Sequence, residues 1–476
     1  MIWSVSWKNV WRSKIRSSVV IAAFIFGIFG GLFTVAVFVG MVDQRVKLAI
    51  GNEVSHIQIH NPGYLDNNEL KYVIDDYPRL QATLSNVTEI KGYSPRIKIM
   101  GMASTSGSAS GIMINGIDVE KEKEVSGIAG SIVEGGGEFF DKNGKKSIVV
   151  GEDLAKILKL TYYMFTQEDI VKMKDDKKLR NLVPLLDSLQ DIRYRTESDF
   201  QAALISTLGQ EQAQKYSFRL KNEAIKYKLK QKIVLSFQAL DGHIAFDAFR
   251  VIGVYKTANS AFDGLNVYVR QSEIAAVANL QDLQFNEVAV LISSVQYDDE
   301  IASKIKSEFP YLSVQTWAEV MPEAGMYSKT MNFYLLIFMV IILLALGFGI
   351  VNTMLMAVLE RTKELGMLMA IGMNKKRVFG MIMLETIFLS LVGAVIGMVL
   401  TYLIILYTGH TGIDLSAMYQ EGLEAMGFSA HIFPVLSWDS FVQLTLMVIL
   451  TGILASIYPA RKALKLNPAE ALRIDM

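Results

Sequence analysis

The chain has 476 residues, of which 51% are hydrophobic and 20% are charged, and it contains no cysteine. Basic and acidic residues number 47 each, so the formal net charge is zero. This composition excludes disulfides, thiolate metal sites and a cysteine nucleophile, gives no electrostatic argument for nucleic-acid binding, and is more hydrophobic than that of most soluble proteins.

Residues 1–16 are basic and carry Trp3, Trp7 and Trp11 at a spacing of four. On a helix this spacing places the three rings on one face. The segment therefore predicts an amphipathic helix in the cytoplasmic membrane interface, serving either as a plain anchor or as a contact for a partner. The uncharged run 17–42 predicts transmembrane helix 1, retained as a signal anchor because it is too long for a cleaved signal peptide.

Residues 43–329 have the composition of a folded domain in which strands and helices mix. Alternating or β-branched runs predict strands at 54–60, 96–100, 112–116, 147–151, 233–237, 244–255, 267–269, 288–292 and 314–317. Helical patterns cover 69–87, 153–160, 272–280 and 299–309. Asp241-Gly242 indicates a hairpin, and the glycines at 135–137 indicate a turn.

The segment 161–231 differs from the rest of this domain because it is rich in lysine, acidic residues, glutamine and leucine. It predicts a helical insertion, with helices at 197–208 and 210–229. Two roles stay open for it, a platform for a partner or a solvated structural elaboration.

Three more apolar runs, at 330–359, 378–407 and 440–460, predict transmembrane helices 2, 3 and 4. Basic residues are concentrated in 1–16, in 360–377 and in the tail 461–476, whereas 408–439 has none. The positive-inside rule then places both termini and the 360–377 loop in the cytoplasm, and 43–329 with the short 408–439 loop outside. The predicted fold class is a membrane protein of four transmembrane helices, with a large α+β extracytoplasmic (periplasmic) domain between helices 1 and 2 that carries a helical insertion.

No constellation of catalytic residues stands out in the sequence. There is no G-x-x-x-x-G-K-[ST] phosphate-binding loop, so ATP hydrolysis is not expected in this chain. His56 and His60 share a strand face but lie ~14 Å apart at about 3.3 Å per residue, too far for one metal ion. We therefore expect no catalytic residue, no metal and no cofactor in the chain itself.

One ionisable residue, Glu385, falls within a predicted span, near its cytoplasmic start. A role in helix packing is favoured there over a proton relay, because the helix N-terminal dipole and interfacial water lower the cost of the charge. Small residues that allow close helix contact, within the chain or between protomers, are Gly27, Gly30, Gly31, Gly393 and Gly397.

Three motifs carry a family resemblance. They are ERTKELG at 360–366 followed by AIG at 370–372, WKNVWRSK at 7–14, and YPARKA at 458–463 with NPAEALR at 467–473. Together with the order of one span, a large domain and three spans, they resemble FtsX-like, MacB-like permeases of ABC transporters, most closely the lipoprotein-releasing branch. The 161–231 insertion departs from the usual pattern.

The resemblance implies a dimer of two permease chains, identical or different, in the bacterial inner membrane, each bound to a separate ATPase that carries ATP and Mg. Closure of the ATPase dimer would push the 360–373 helix, and this movement would be transmitted to the periplasmic domain. Charged positions would form salt bridges at the rim of the ATPase groove, and Leu365, Leu368, Met369 and Ile371 would fill it. The implied coupling residues are Glu360, Arg361, Lys363, Glu364, Leu365, Gly366, Leu368, Met369, Ala370, Ile371 and Gly372.

Three substrate classes compete within this resemblance. Residues 251–263 and 316–319 favour lipoprotein release from the inner membrane for transport to the outer membrane. A MacB-like tripartite exporter, with a periplasmic adaptor and an outer-membrane duct, is the second. The third is a regulator of a periplasmic cell-wall hydrolase. Membrane lipids are expected neighbours in each case, and nucleic acid in none.

Overall fold

A computed structural model describes residues 2–12, 14–140, 146–176, 179–281 and 283–464. Its contacts separate two compact units. The helical unit contains residues up to Asp43, Tyr327–Ile413 and the chain from His431 onwards, and the α/β unit contains Gln44–Met326 and Asp414–Ala430.

The α-helices, in chain order, are α1 (Ile2–Arg12), α2 (Lys14–Leu48), α3 (Pro62–Asn67), α4 (Tyr77–Ser85), α5 (Val119–Val125), α6 (Glu152–Ile157), α7 (Gln167–Asp175), α8 (Val183–Leu186), α9 (Glu197–Leu208), α10 (Gln210–Ala224), α11 (Ser260–Leu265), α12 (Gln271–Ala278), α13 (Asp298–Glu308), α14 (Trp317–Val320), α15 (Pro322–Glu360), α16 (Thr362–Ala370), α17 (Lys375–Thr411), α18 (Ser416–Ala425) and α19 (Trp438–Leu464). The strands are β1 (Ile57–His60), β2 (Ile90–Ser104), β3 (Ala109–Ile117), β4 (Ile132–Gly137), β5 (Ser147–Gly151), β6 (Thr161–Tyr163), β7 (Ile225–Tyr227), β8 (Lys232–Gln238), β9 (Ile244–Tyr255), β10 (Asn266–Arg270), β11 (Glu287–Ile292), β12 (Ser313–Thr316), β13 (Ile413–Asp414) and β14 (His431–Ile432).

Within the described residues, four helices are long and apolar enough to span a bilayer, in agreement with the predicted number and order of spans. They are α2, α15, α17 and α19, and their most apolar stretches have mean hydropathies of 2.0 to 2.9. Most side chains in these stretches are not buried within the chain. An apolar surface of this extent is stable only in contact with lipid or with other membrane-embedded protein.

The G-x-x-x-G pair in α17 brings that helix against α2 of the same chain. A Cβ added at Gly393 would lie 2.5 Å from the Cβ of Phe24, and one added at Gly397 would lie 3.2 Å from the Cβ of Ile28. Contacts under about 3 Å cannot form, so the absence of a side chain at 393 allows this approach. The pair thus accounts for packing within one chain.

The glycines of α2 divide into two groups. Gly27 faces Leu346 of α15 and Gly31 faces Leu444 of α19, with added Cβ atoms meeting their side chains at 2.9 and 3.0 Å. Gly30 was predicted to share this role, but a Cβ there would have no neighbour within 4 Å. Among the described residues, Gly30 therefore makes no close helix contact within the chain, and its predicted role in packing between protomers stays a prediction.

The α/β unit is built on a ten-stranded mixed sheet, which confirms the α+β class predicted for the domain. The strand order is β12-β1-β11-β2-β3-β10-β5-β9-β4, and β8 pairs with both β2 and β9. The strand β2 is long enough to pair with two strands along the same edge: its residues 90–96 pair with β11, and its residues 101–104 pair with β8. The pairings β2-β3-β10-β5-β9-β8 therefore close into a circuit around a core of aliphatic side chains.

Several predicted boundaries in this unit are corrected by the structure. The helix expected at 69–87 forms only at 77–85, where Pro78 occupies the first turn and Leu80 and Leu84 are buried. The helix expected at 153–160 ends at Ile157, and the one expected at 210–229 ends at Ala224 and continues into β7. The glycines at 135–137 lie at the end of β4 in an irregular part of the ladder, not in a turn.

The segment 161–231 contains α7 to α10 between the paired strands β6 and β7. These helices enclose a cluster of buried side chains of their own, which includes Phe165, Phe200 and Leu204. The segment also contacts α18, through ion pairs from Arg219 to Asp414 at 3.8 Å and from Lys221 to Glu421 at 3.5 Å.

Candidate functional site

The short helix α16 lies between two spanning helices and is bounded by specific backbone features. Arg361, outside the helical region at φ −102° and ψ 17°, separates it from α15. Gly372 ends it with a φ of +96°, a left-handed conformation that favours glycine, while the Met373 amide donates to the carbonyl of Leu368 at 3.0 Å. Asn374 then caps α17 by accepting from the amide of Lys376 at 2.9 Å. The role of Gly372 is therefore to end the helix.

Arg361 connects α16 to α17 through two carboxylates. Its Nη1 donates to Glu385 Oε2 at 3.0 Å and to Oε1 at 3.2 Å, and its Nε donates to Glu364 Oε2 at 3.1 Å. The Glu385 side chain is only 7% exposed. Charge-assisted hydrogen bonds of this kind are directional, so they fix the start of α16 relative to the third turn of α17. The intramembrane carboxylate therefore has a structural partner.

The N-terminal helix α1 meets the same site from another direction. Arg12 Nη2 lies 3.0 Å from Glu364 Oε1. Ser6 Oγ donates to the carbonyl of Met381 at 3.3 Å, and the ring of Trp7 packs edge-on against Phe388 with centroids 5.3 Å apart. One carboxylate, Glu364, thus joins α1 to Arg361. From the sequence, Arg12 was predicted only as part of a basic flank. No local pattern indicates its partner Glu364, which lies 352 residues further along the chain.

The two faces of α16 differ in exposure. Leu365 is 4% exposed and packs in the core of the helical unit, and Gly366 is also buried. Leu368 and Met369 are partly buried against that core. The expectation that Leu365 fills a groove in a partner is therefore wrong for this structure, because its side chain is already used internally.

The exposed face of α16 carries a different set of side chains. Met367 is 50% exposed and Ile371 is 79% exposed, and Lys363 and Ala370 are also exposed. Glu360 is exposed at the end of α15. Met367 was not predicted as a contact, although its position two residues after Leu365 places it on the opposite side of the helix.

His56 and His60 lie on or next to β1, buried in the α/β unit. His60 contacts the carbonyl of Asn286 through Nδ1 and Gln58 Oε1 through Nε2, both at 3.1 Å, and its Nε2 is 3.6 Å from Glu287. Burial lowers the pKa of His60, and it lowers the pKa of His56 to about 4. In the described part of the chain, no group of three or more potential ligands is arranged to hold a metal ion.

Residues 336–468 match the family described as FtsX-like permease C-terminal. An uncharacterized ABC transporter permease, MJ1507, of Methanocaldococcus jannaschii is 26% identical over 47% of this chain and 55% of its own length. The macrolide export ATP-binding/permease protein MacB of Bdellovibrio bacteriovorus is 30% identical over 36% of this chain and 24% of its own length. The chain thus spans about half or less of each of these relatives.

Two solved structures show weaker similarity. The periplasmic region of MacB from Actinobacillus actinomycetemcomitans has 12% identity and a TM-score of 0.30, with 61% of this chain and 98% of that chain covered. The extracellular domain of YknZ from Gram-positive bacteria has 12% identity and a TM-score of 0.29, with coverage of 55% and 99%. The similarity to known families is therefore carried by the sequence: residues 336–468 match the FtsX-like permease family, and the two relatives bear the names of ABC transporter permeases.

Proposed function

We propose that this chain is the permease subunit of an ABC transporter and that a separate ATPase subunit binds the exposed face of α16. The observation that carries the proposal is the division of α16 into a face fixed to its own chain by Arg361 and Leu365 and a face that presents Met367 and Ile371. An exposed aliphatic pair next to charged side chains is typical of a small protein contact.

The ion pairs give a route for force. A push on α16 acts on Arg361, and the ion pair of Arg361 with Glu385 passes it to α17. The contact of Glu364 with Arg12 passes the same push to α1. Because these are short charge-assisted contacts between helices, the three helices are expected to move together rather than to slide past one another.

The proposed orientation follows the basic flanks. The α16 side of the membrane is cytoplasmic, both termini lie there, and the α/β unit lies outside the inner membrane. The sequence has no phosphate-binding loop. ATP and Mg are therefore assigned to the partner, and this chain acts as one of two permease chains that transmit movement and carry out no chemistry.

A charge exchange tests the coupling. In Arg361→Glu/Glu364→Arg the two residues can still attract each other, but a carboxylate then faces Glu385 and a guanidinium faces Arg12. We expect the purified complex to lose most of the transport-coupled ATPase activity while the chain still inserts. The matched control is Glu120→Lys/Lys123→Glu, an exposed pair with the same spacing in α5. Full coupled activity in the Arg361/Glu364 variant would sink the proposal.

Two substrate classes are proposed for this permease, and each has its own support. The motifs at 251–263 and 316–319 support lipoprotein release, whereas relatives that are named macrolide export permeases support a MacB-like exporter. Affinity purification of the intact complex, followed by mass spectrometry, separates them. Acylated proteins support release, an adaptor with an outer-membrane duct supports export, and a peptidoglycan hydrolase supports the regulatory role.

A further inference from the structure

The outer face of the β8-β9 hairpin in the α/β unit has two chemically distinct ends. At the basic end, Lys232 lies directly opposite Arg250 in the strand register. Like charges in this position destabilise a sheet, so fold stability does not favour the pair. Lys230 and Lys146 lie beside them and complete a cluster of four cationic side chains.

These cations surround a surface cavity of about 770 Å³. Among the described residues that line it, Asp247 is the one carboxylate, and it pairs with Lys146 at 2.6 Å. Lys230, Lys232 and Arg250 are all exposed, and the described residues place no carboxylate in ion-pair contact with them. The cavity is therefore a concave site with excess positive charge, which suits a phosphate group.

The other end of the same face is apolar. Ile244 is 73% exposed and Phe246 is 74% exposed, and Met102 of β2 aligns with Ser236, which in turn aligns with Phe246. Met100 of β2 is 60% exposed. In a sheet whose opposite face forms the core, the outer face is normally polar, so an exposed strip of methionine, isoleucine and phenylalanine indicates an interaction surface.

The strand register sets the distance between the two ends. Phe246 and Arg250 lie on the same face four residues apart, a separation of about 13 Å at roughly 3.3 Å per residue. Val234 and Ala248 form the apolar row between them, so the strip runs without interruption into the basic cavity. A molecule that matches this surface carries a negative head and an apolar tail.

We propose that this face binds one anionic phospholipid, with the phosphate in the cavity lined by Lys232 and Arg250 and the acyl chains along Phe246, Ile244 and Met102. The phosphate accounts for the unopposed positive charge, and the acyl chains account for the adjoining exposed strip. Taking such an amphiphile as the transported cargo rests on the proposed function; the binding site itself does not.

The test uses the full chain in an amphipol belt with dioctanoyl phosphatidylglycerol as the probe. Because the chain has no cysteine, a Ser236→Cys variant labelled with a polarity-sensitive fluorophore reports on the centre of the strip. We expect a saturable shift of its emission to shorter wavelength. Lys232→Gln/Arg250→Gln should weaken binding roughly thirtyfold, since each basic group near an anionic lipid contributes roughly a fivefold gain in affinity.

Two further comparisons examine the head and the tail. Lys304→Gln/Lys306→Gln removes the same charge from the exposed face of α13 and should leave binding unchanged. Ile244→Ser/Phe246→Ser should weaken the binding of the lipid. It should not change the binding of glycerol phosphate, which has the phosphate headgroup but no acyl chains. Melting temperatures should match the parent because the replaced side chains are exposed.

Four outcomes would overturn the proposal. They are equal affinity for dioctanoyl phosphatidylcholine, no loss in the Lys232/Arg250 variant, glycerol phosphate binding as tightly as the lipid, or a response to an acidic amphipathic peptide alone. Either of the first two outcomes would show that the headgroup is not recognised, and the third would show that the acyl chains are not. The α16 charge exchange is read by ATPase activity, so either proposal can fail without the other.

Discussion

Arg361 and Glu385 form an ion pair in which a single guanidinium nitrogen, Nη1, lies 3.0 and 3.2 Å from the two carboxylate oxygens. The pair joins the residue that starts α16 to the third turn of the spanning helix α17. Both side chains are largely withdrawn from solvent, at 15% and 7% exposure, so the pair is screened less than a surface contact. Under the proposed function, this ion pair is the contact through which α16 would move α17.

The first prediction compares a shielded ion pair with an exposed one. Arg361→Ala removes the guanidinium that pairs with the buried Glu385 and should cost about 3 kcal/mol or more. Arg12→Ala breaks the exposed pair with Glu364 and should cost about 1 kcal/mol or less. Melting temperatures in detergent measure both. Equal melting-temperature shifts in the two variants would contradict the distinction between a shielded and an exposed ion pair. The charge exchange Arg361→Glu/Glu385→Arg should recover part of the stability that Arg361→Ala loses.

A second prediction separates the two faces of α16. Ile371→Ser should leave the melting temperature unchanged but lower the amount of copurified ATPase roughly tenfold, as expected for a contact of central importance. Leu365→Ala should instead destabilise the helical unit by about 2–5 kcal/mol, because it leaves a cavity in the core. If Ile371→Ser retains all of the ATPase, the exposed face of α16 is not the docking surface.

Glycine substitutions test the packing of the spanning helices. Gly393→Ala places a Cβ 2.5 Å from the Cβ of Phe24, so the two helices must separate, at a cost of about 1–3 kcal/mol. Gly30→Ala has open space and should be neutral or slightly stabilising, since alanine favours the helix. Thermal unfolding of the two variants in the same detergent gives the comparison. A larger loss at position 30 than at 393 would indicate a contact of Gly30 with a second chain.

The fourth prediction concerns pH. Burial, helped by the charge of Lys91, lowers the pKa of His56 to about 4 from an ordinary value near 6.5. Its Nδ1 lies 3.3 Å from the amide of Ile292, an arrangement that requires an unprotonated ring nitrogen. The unfolded chain therefore binds a proton before the folded chain does. The stability that depends on neutral His56 is complete above pH 6.5 and is lost as the pH falls towards 4.

Comparison of the parent with His56→Gln measures this contribution. The difference in unfolding free energy should shrink between pH 7 and pH 4. Burial raises the pKa of Asp263 and of Asp298 to about 7, so these carboxyls act in the opposite direction over the same range. They are present in both proteins and cancel in the difference. A difference that does not vary with pH would show that His56 does not titrate on unfolding.

The sequence predicted the features that depend on local composition. Four apolar runs of sufficient length, of which only the third carries a charge, at Glu385, predict spanning helices wherever they pack, because a bilayer core requires about 20 apolar residues. The ends of α9, at Glu197 and Leu208, were also predicted correctly, since Thr196 caps its start and Gly209 follows its end. The predicted helix at 69–87 was too long, because its pattern of apolar residues did not reveal where the chain turns at Asp76 and Pro78.

Long-range contacts decided the rest. The sequence by itself determined the spans, the class of the large domain, the position of α16 and the family motifs, since each follows from spacing within a short segment. Only the tertiary structure decided that Arg12 pairs with Glu364 and Arg361 with Glu385. It also decided that Leu365 is internal while Met367 and Ile371 are exposed, and that Lys232 lies beside Arg250 on an apolar face. Side chains from distant segments become neighbours only when the helices pack and the strands take their register, and neither arrangement can be inferred from a local pattern.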